Sequence, residues 1–285
     1  MCDDDIHQGL VHDPRLSRRA FGLAAAGIGL AVSPAIADTA VMRMEVTIKT
    51  PDGEADAVFF HPTAKGKWPG VLIWTDVMGL RPVFEDMGRR LAAQGYVVLI
   101  PNPYYRVRKA PVVEGTFNFA NATDREKLTP LRASITPEGT DRDAAAYLTW
   151  LDEQGLTDKT RKLGVQGYCM GGPLAFRTAA ASPRVGAVAS FHGGGLVTAQ
   201  PTSPHLLIPK TQAEYLIEIA DNDDAKDPEA KDKLKAAFAA AGRTAQVEVL
   251  SGADHGWTVK TSQVYNEAAA ETAWANLLAL YKRAL

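Results

Sequence analysis

The feature that most constrains this chain is a succession of short apolar segments, each followed by a stretch of helical patterning. Gly70–Thr75, Tyr96–Pro101, Lys162–Gln166, Val185–Phe191, Tyr215–Ala220 and Ala245–Leu250 are short and mostly apolar. Strands buried on both faces need such runs, because neither face meets water. The segments between them predict helices over Pro82–Gln94 (ended by Gly95), Arg142–Glu153, Pro173–Ala181, Pro228–Ala241 and Val264–Tyr281. Alternation of this kind predicts the α/β class, a mostly parallel sheet with helices on both faces. Ahead of it, Met44–Thr50 and Ala55–His61 flank Pro51-Asp52-Gly53. They read as a hairpin forming an antiparallel edge, which brings the sheet to about eight strands. The stretch 102–139 is irregular and polar, with a short helix near Asp124–Leu131, and is expected to form a cap or pocket wall. No linker or repeat interrupts residues 40–285, so a single domain over 38–285 is expected.

The first 37 residues are of another kind. Ser17-Arg18-Arg19-Ala20-Phe21 leads into an uncharged stretch that ends in Ala35-Ile36-Ala37, a small-x-small cleavage signature. This pattern resembles a twin-arginine export signal cut after Ala37. It implies passage through the twin-arginine machinery, a periplasmic or secreted protein exported already folded, and no stable membrane anchor after cleavage. The competing reading is an anchor that is never cut; the stretch is about long enough to span, but it is rich in Ala and Gly and only weakly hydrophobic.

Composition narrows the function. Apolar residues make up 46% and charged residues 22%, as in an ordinary globular protein with a sizeable core. A net charge of -2 gives nucleic-acid binding no electrostatic support. The six His are scattered and no CxxC pair occurs, so no metal site is expected. The two cysteines are Cys2 and Cys169, and cleavage would remove Cys2. A lone thiol in an oxidising compartment is a liability, which argues for a role for Cys169 over use as a small core filler.

Gly167-Tyr168-Cys169-Met170-Gly171 has the G-x-nucleophile-x-G spacing of a nucleophile elbow, and it lies between a predicted strand and a predicted helix. The helix start favours a thiolate, and adjacent backbone N–H groups can hold an oxyanion. A thiol nucleophile benefits from a base, and the base from an orienting carboxylate. The strand Tyr215–Ala220 runs into Asp221-Asn222-Asp223-Asp224, and the strand Ala245–Leu250 runs into the loop that carries His255. Acid and base thus follow the nucleophile in α/β-hydrolase order, each at a strand's carboxyl end, where α/β sheets build their sites.

Three segments carry a family resemblance: Gly167-Tyr168-Cys169-Met170-Gly171-Gly172, the loop Ala220–Pro228, and Gly252-Ala253-Asp254-His255-Gly256-Trp257. With them the chain resembles the dienelactone hydrolase family of the α/β-hydrolase superfamily, over essentially all of residues 43–285. The resemblance implies a triad of Cys169, Asp223 and His255, with Asp221 and Asp224 as competitors for the acid. It implies an oxyanion hole from the backbone N–H groups of Met170 and Val77, and no metal or organic cofactor. Two departures stand out. Asp76 occupies the place of a family Glu that holds the resting thiol. Of two family arginines that bind a substrate carboxylate, the first maps to Arg106, with Tyr104 nearby, while the second position holds Val259, next to Lys260. His192, in a Gly-rich strand-end loop, is expected at the pocket rim. Trp257 lines the pocket or packs beside it, and Trp74 and Trp150 belong to the core.

The expected activity is hydrolysis of a small-molecule ester or lactone, carboxymethylenebutenolidase-like, through a cysteine nucleophile. Three other readings stay open. They are an exported binding protein of this fold with little turnover, thiol redox work (for which the mature chain has no second cysteine), and acyl transfer from the same acyl-enzyme.

Overall fold

The structure, a computed structural model, describes residues 11–12 and 40–285. The leader reading, with Cys2 and the cut after Ala37, lies outside these residues apart from the pair at 11–12. In chain order the strands are β1 (Val11–His12), β2 (Val41–Thr50), β3 (Gly53–Pro62), β4 (Gly70–Trp74), β5 (Val97–Pro101), β6 (Phe117–Asn118), β7 (Leu163–Tyr168), β8 (Val185–Phe191), β9 (Glu214–Ala220) and β10 (Ala245–Leu250). The helices are α1 (Pro82–Ala93), α2 (Ala122–Ala133), α3 (Pro137–Glu153), α4 (Gly171–Ala181), α5 (Asp221–Lys226), α6 (Ala230–Ala240) and α7 (Glu267–Ala284). A 3-10 turn covers Pro204–Lys210.

Eight strands form one sheet in the order β10-β9-β8-β7-β4-β5-β3-β2. Every pairing from β10 to β5 is parallel, while β3 runs antiparallel to both β5 and β2. The opening hairpin is therefore the antiparallel edge. β4, β7 and β8 are buried at every residue, which is why their sequences show no polar alternation. Side chains still alternate between faces. Leu72 and Trp74 join one core cluster with α3, α4 and α6, through Tyr147, Phe176 and Phe238. Val71 and Ile73 join the other with α1 and α7, through Phe84, Leu277 and Tyr281. Helices thus cover both faces.

Three segments differ from expectation, and one is α7, which starts at Glu267 rather than Val264 because the Asn266 side chain caps it by accepting from the Ala269 N–H at 3.1 Å. α3 begins at Pro137, well before Arg142, because the Thr136 hydroxyl accepts from the Gly139 N–H at 3.0 Å and proline suits the first turn. Gly139 in that first turn hides the start from a propensity reading. The stretch 102–139 holds a longer helix than the sequence suggests, α2, capped by Asn121 and continued through Pro130. A third, small core of Val77, Met78, Tyr104, Phe117, Phe119 and Leu128 ties this stretch to the loop after β4.

Candidate active site

The elbow is built by what its glycines lack. A Cβ on Gly167 would sit 1.9 Å from the Gly171 carbonyl oxygen, and one on Gly171 would sit 2.5 Å from the Trp74 carbonyl oxygen. Strand β7 can therefore turn into α4 only with hydrogens at both places. Between them Cys169 adopts φ 53°, a left-handed conformation that costs a non-glycine residue energy and recurs where geometry serves a site. Cys169 is buried, with its N–H bound to the Phe191 carbonyl at 3.0 Å, and it stands just before the N-terminus of α4. The partial positive charge there favours a thiolate.

The three acids after β9 are sorted by their contacts. They lie in the short helix α5 rather than in a loop. Asp221 accepts from the Gly252 N–H at 3.0 Å and so ties α5 to the loop after β10. Asp224 pairs with Lys231 at 2.7 Å. Asp223 meets His255: its Oδ2 lies 2.7 Å from Nδ1 of the ring. A carboxylate only accepts, so Nδ1 carries the hydrogen and Nε2 of the neutral ring is the basic nitrogen. The Asn222 side chain accepts from the His255 N–H at 2.9 Å, which holds the loop from a second point. His255 is 2% exposed.

Cys169 and His255 line one cavity of about 40 Å³, with Asp76, Val77, Arg81, His192 and Val259 also in its wall. His192 has φ 42° and sits edge-on to His255 at 4.9 Å between ring centroids, with its Nε2 2.8 Å from the Thr258 hydroxyl. Asp76 forms a two-pronged ion pair with Arg81 at 2.6 and 2.7 Å and also accepts from the Met78 N–H. Arg81 is 7% exposed and lies at the N-terminal boundary of α1. The sequence reading passed over it. Its signal was a lone cation between an apolar loop and Pro82, five residues after Asp76.

Three expected pocket residues stand elsewhere. Tyr104 is fully buried beneath the loop: its hydroxyl donates to the Val77 carbonyl at 2.8 Å and lies 3.2 Å from the Met170 sulfur. It braces the two residues whose N–H groups the resemblance assigns to the oxyanion hole. Arg106 points away from the cavity and is tied to Asp143 at 2.8 Å and to Asp52 of the β2–β3 turn at 2.6 Å. Trp257 is fully buried and packs against the His192 ring at 5.0 Å, one layer behind the cavity. Lys260 faces a separate groove with Asp86 and Glu271, so it does not replace the arginine missing at Val259. Trp74 belongs to the core, and Trp150 packs at its margin.

The profile of the dienelactone hydrolase family matches residues 55–285. The chain belongs to the dienelactone hydrolase family. As a member it is a hydrolase of carboxylic ester or lactone bonds. It is similar to a protein of Methylorubrum extorquens named "Putative carboxymethylenebutenolidase", with 28% identity over 96% of this chain and 95% of that one. A Yersinia pestis protein of the same name is 26% identical over 82% and 85% of the two chains. Among solved structures, a dienelactone-hydrolase-like promiscuous phosphotriesterase from metagenomic libraries superposes with a TM-score of 0.70, at 20% identity over 86% and 99% of the two chains. At that identity the likeness concerns the fold alone, the α/β-hydrolase architecture.

Proposed function

We propose that the chain is an exported hydrolase that cleaves a small ester or lactone through a Cys169-His255-Asp223 triad, in the manner of a carboxymethylenebutenolidase. The observation that carries this reading is the Asp223–His255 pair facing the same cavity as the left-handed Cys169. His255 Nε2 takes the Cys169 thiol proton, and the thiolate attacks the carbonyl carbon. The resulting oxyanion accepts from the N–H groups of Met170 and Val77. The tetrahedral adduct collapses, the C–O bond breaks, and the leaving oxygen takes a proton from the His255 imidazolium. Water, deprotonated by neutral His255, then attacks the thioester and releases the acid and the thiolate. Asp223 fixes the ring tautomer throughout. The names of the relatives support a lactone among the substrates. The substrate carboxylate of a dienelactone would here meet Arg81, the one permanent cation among the described residues lining the cavity, and would compete with Asp76 for it. The twin arginine and Ala35-Ile36-Ala37 support export to the periplasm or beyond.

The test is turnover of an aryl ester and a dienelactone by the chain beginning at Asp38. Cys169→Ala and His255→Ala should each lose several orders of magnitude, and Asp223→Asn about 10³- to 10⁴-fold in kcat. Asp221→Asn and Asp224→Asn should stay within about tenfold of the parent. Intact-mass measurement should find an acyl adduct on Cys169. An inert parent with no adduct would favour the binding-protein reading.

A further inference from the structure

A second cavity of about 320 Å³ opens beside the catalytic one. Val77 lines both, and Met170 lines the larger. Val77 thus stands where the cavities meet, with Met170 on the large side and His255 and Cys169 on the small side only. The larger cavity is walled by α3, the start of α4 and the loop after β8. Its apolar surface comes from Ile135, Pro137, Pro173, Leu174 and Pro204. Several of its polar side chains are already engaged by the protein. The Thr140 hydroxyl donates to the Thr136 carbonyl at 2.8 Å, Arg177 is held by Asp141 and the Pro137 carbonyl, and the Ser203 hydroxyl accepts from the Thr198 N–H at 2.8 Å. Much of what this cavity offers a ligand is therefore apolar surface.

The chemistry assigns the two sides. The imidazolium of His255 must reach the leaving oxygen, so the alcohol part of an ester lies on the His255 side of the carbonyl. That cavity, at about 40 Å³ with Val11 in its wall, is the smaller of the two. The acyl part lies on the opposite side, where about 320 Å³ is within the range of ligand sites. We propose that the large cavity is an acyl subsite, and that the preferred substrate is an ester whose bulky, mostly apolar part is its carboxylic acid. This rests on the hydrolase reading above.

Two isomeric esters test it. Methyl 3-phenylpropanoate and 2-phenylethyl acetate contain the same atoms, with the aryl group on the acyl side in one and on the alcohol side in the other. After division by their hydroxide-catalysed rates, kcat/KM should favour the first by at least about tenfold, the scale on which burying a few carbons discriminates. A ratio within about threefold of unity, or a reversed one, overturns the acyl subsite while leaving the hydrolase reading in place. Ile135→Trp and Thr198→Trp fill the large cavity from two separate segments of its lining, and each should bring the ratio towards unity. A ratio that stays put in both variants counts against the proposal, and if either variant fails to fold the parent ratio still decides. Absence of turnover on both isomers and on the activated aryl ester sinks the hydrolase reading and this proposal together.

Discussion

At the scale of single residues, the loop after β4 is held from two directions. Asp76 grips the Met78 N–H and Arg81 from one side, and the Tyr104 hydroxyl holds the Val77 carbonyl from the other. A loop so clamped can present the Val77 N–H in one direction, which is what an oxyanion donor requires. The clamp depends on a buried ion pair, and such pairs are costly to break from one side. Asp76→Asn leaves Arg81 buried without its counter-charge and should cost about 3–5 kcal/mol by denaturant unfolding. Adding Arg81→Met to that variant should recover most of the loss; simple addition of the two single effects would show that the pair does not act as a unit. The family position that Asp76 fills is thus occupied by a side chain engaged with Arg81, five residues along the same loop.

At the scale of elements, the strand–elbow–helix unit of β7 and α4 is the least tolerant part of the site. Gly167→Ala would drive a methyl group into the Gly171 carbonyl. Soluble folded protein should be lost, or stability should fall by more than about 4 kcal/mol by thermal unfolding. Gly155→Ala, where a methyl group meets nothing within 4 Å, is the matched control and should cost little. This unit was legible in the sequence because glycines at fixed spacing after an apolar run have a steric reason. The strands were legible because burial on both faces leaves continuous apolar runs. The meeting of Asp223 with His255 was legible too, since strand ends in an α/β sheet gather at one edge. Arg106 was expected at the pocket from a resemblance, and a resemblance in sequence does not tell which way a side chain points. Tyr104 goes under Val77, while Arg106 goes out to Asp52 and Asp143. Arg81 carried no periodic signal at all. The start of α3 was obscured by Gly139, whose low propensity is overridden by the Thr136 cap.

At the scale of the whole molecule, stability should depend on pH through a carboxyl that does not line the cavity around Cys169. Glu218 is buried on β9 beside Glu248 of β10, and Asn276 of α7 donates to it at 2.8 Å. Burial pushes its carboxyl up to about 7 from an ordinary 4.5. Between those values the folded chain holds a proton that the unfolded chain has released. Stability therefore falls as pH rises from about 4.5 to about 7 and loses nothing more from this group above that. Glu218→Gln cannot titrate, so its stability relative to the parent should rise across that window, by up to about 3 kcal/mol, and then level off. A constant difference from pH 4 to 8 would assign the effect to packing. The other consequence at this scale comes from the smallest sheet. β1 pairs antiparallel with β6, Val11 opposite Asn118 and His12 opposite Phe117, and Val11 stands in the wall of the cavity around Cys169. Residue 11 lies upstream of the twin arginine, so a cut after Ala37 would remove part of that wall. Iodoacetamide should then alkylate Cys169 several-fold faster in the chain beginning at Asp38 than in the full chain, and equal rates would count against this. A peptide that addresses the protein for delivery would double as the stopper of its nucleophile, and shedding it on arrival would uncork the thiol.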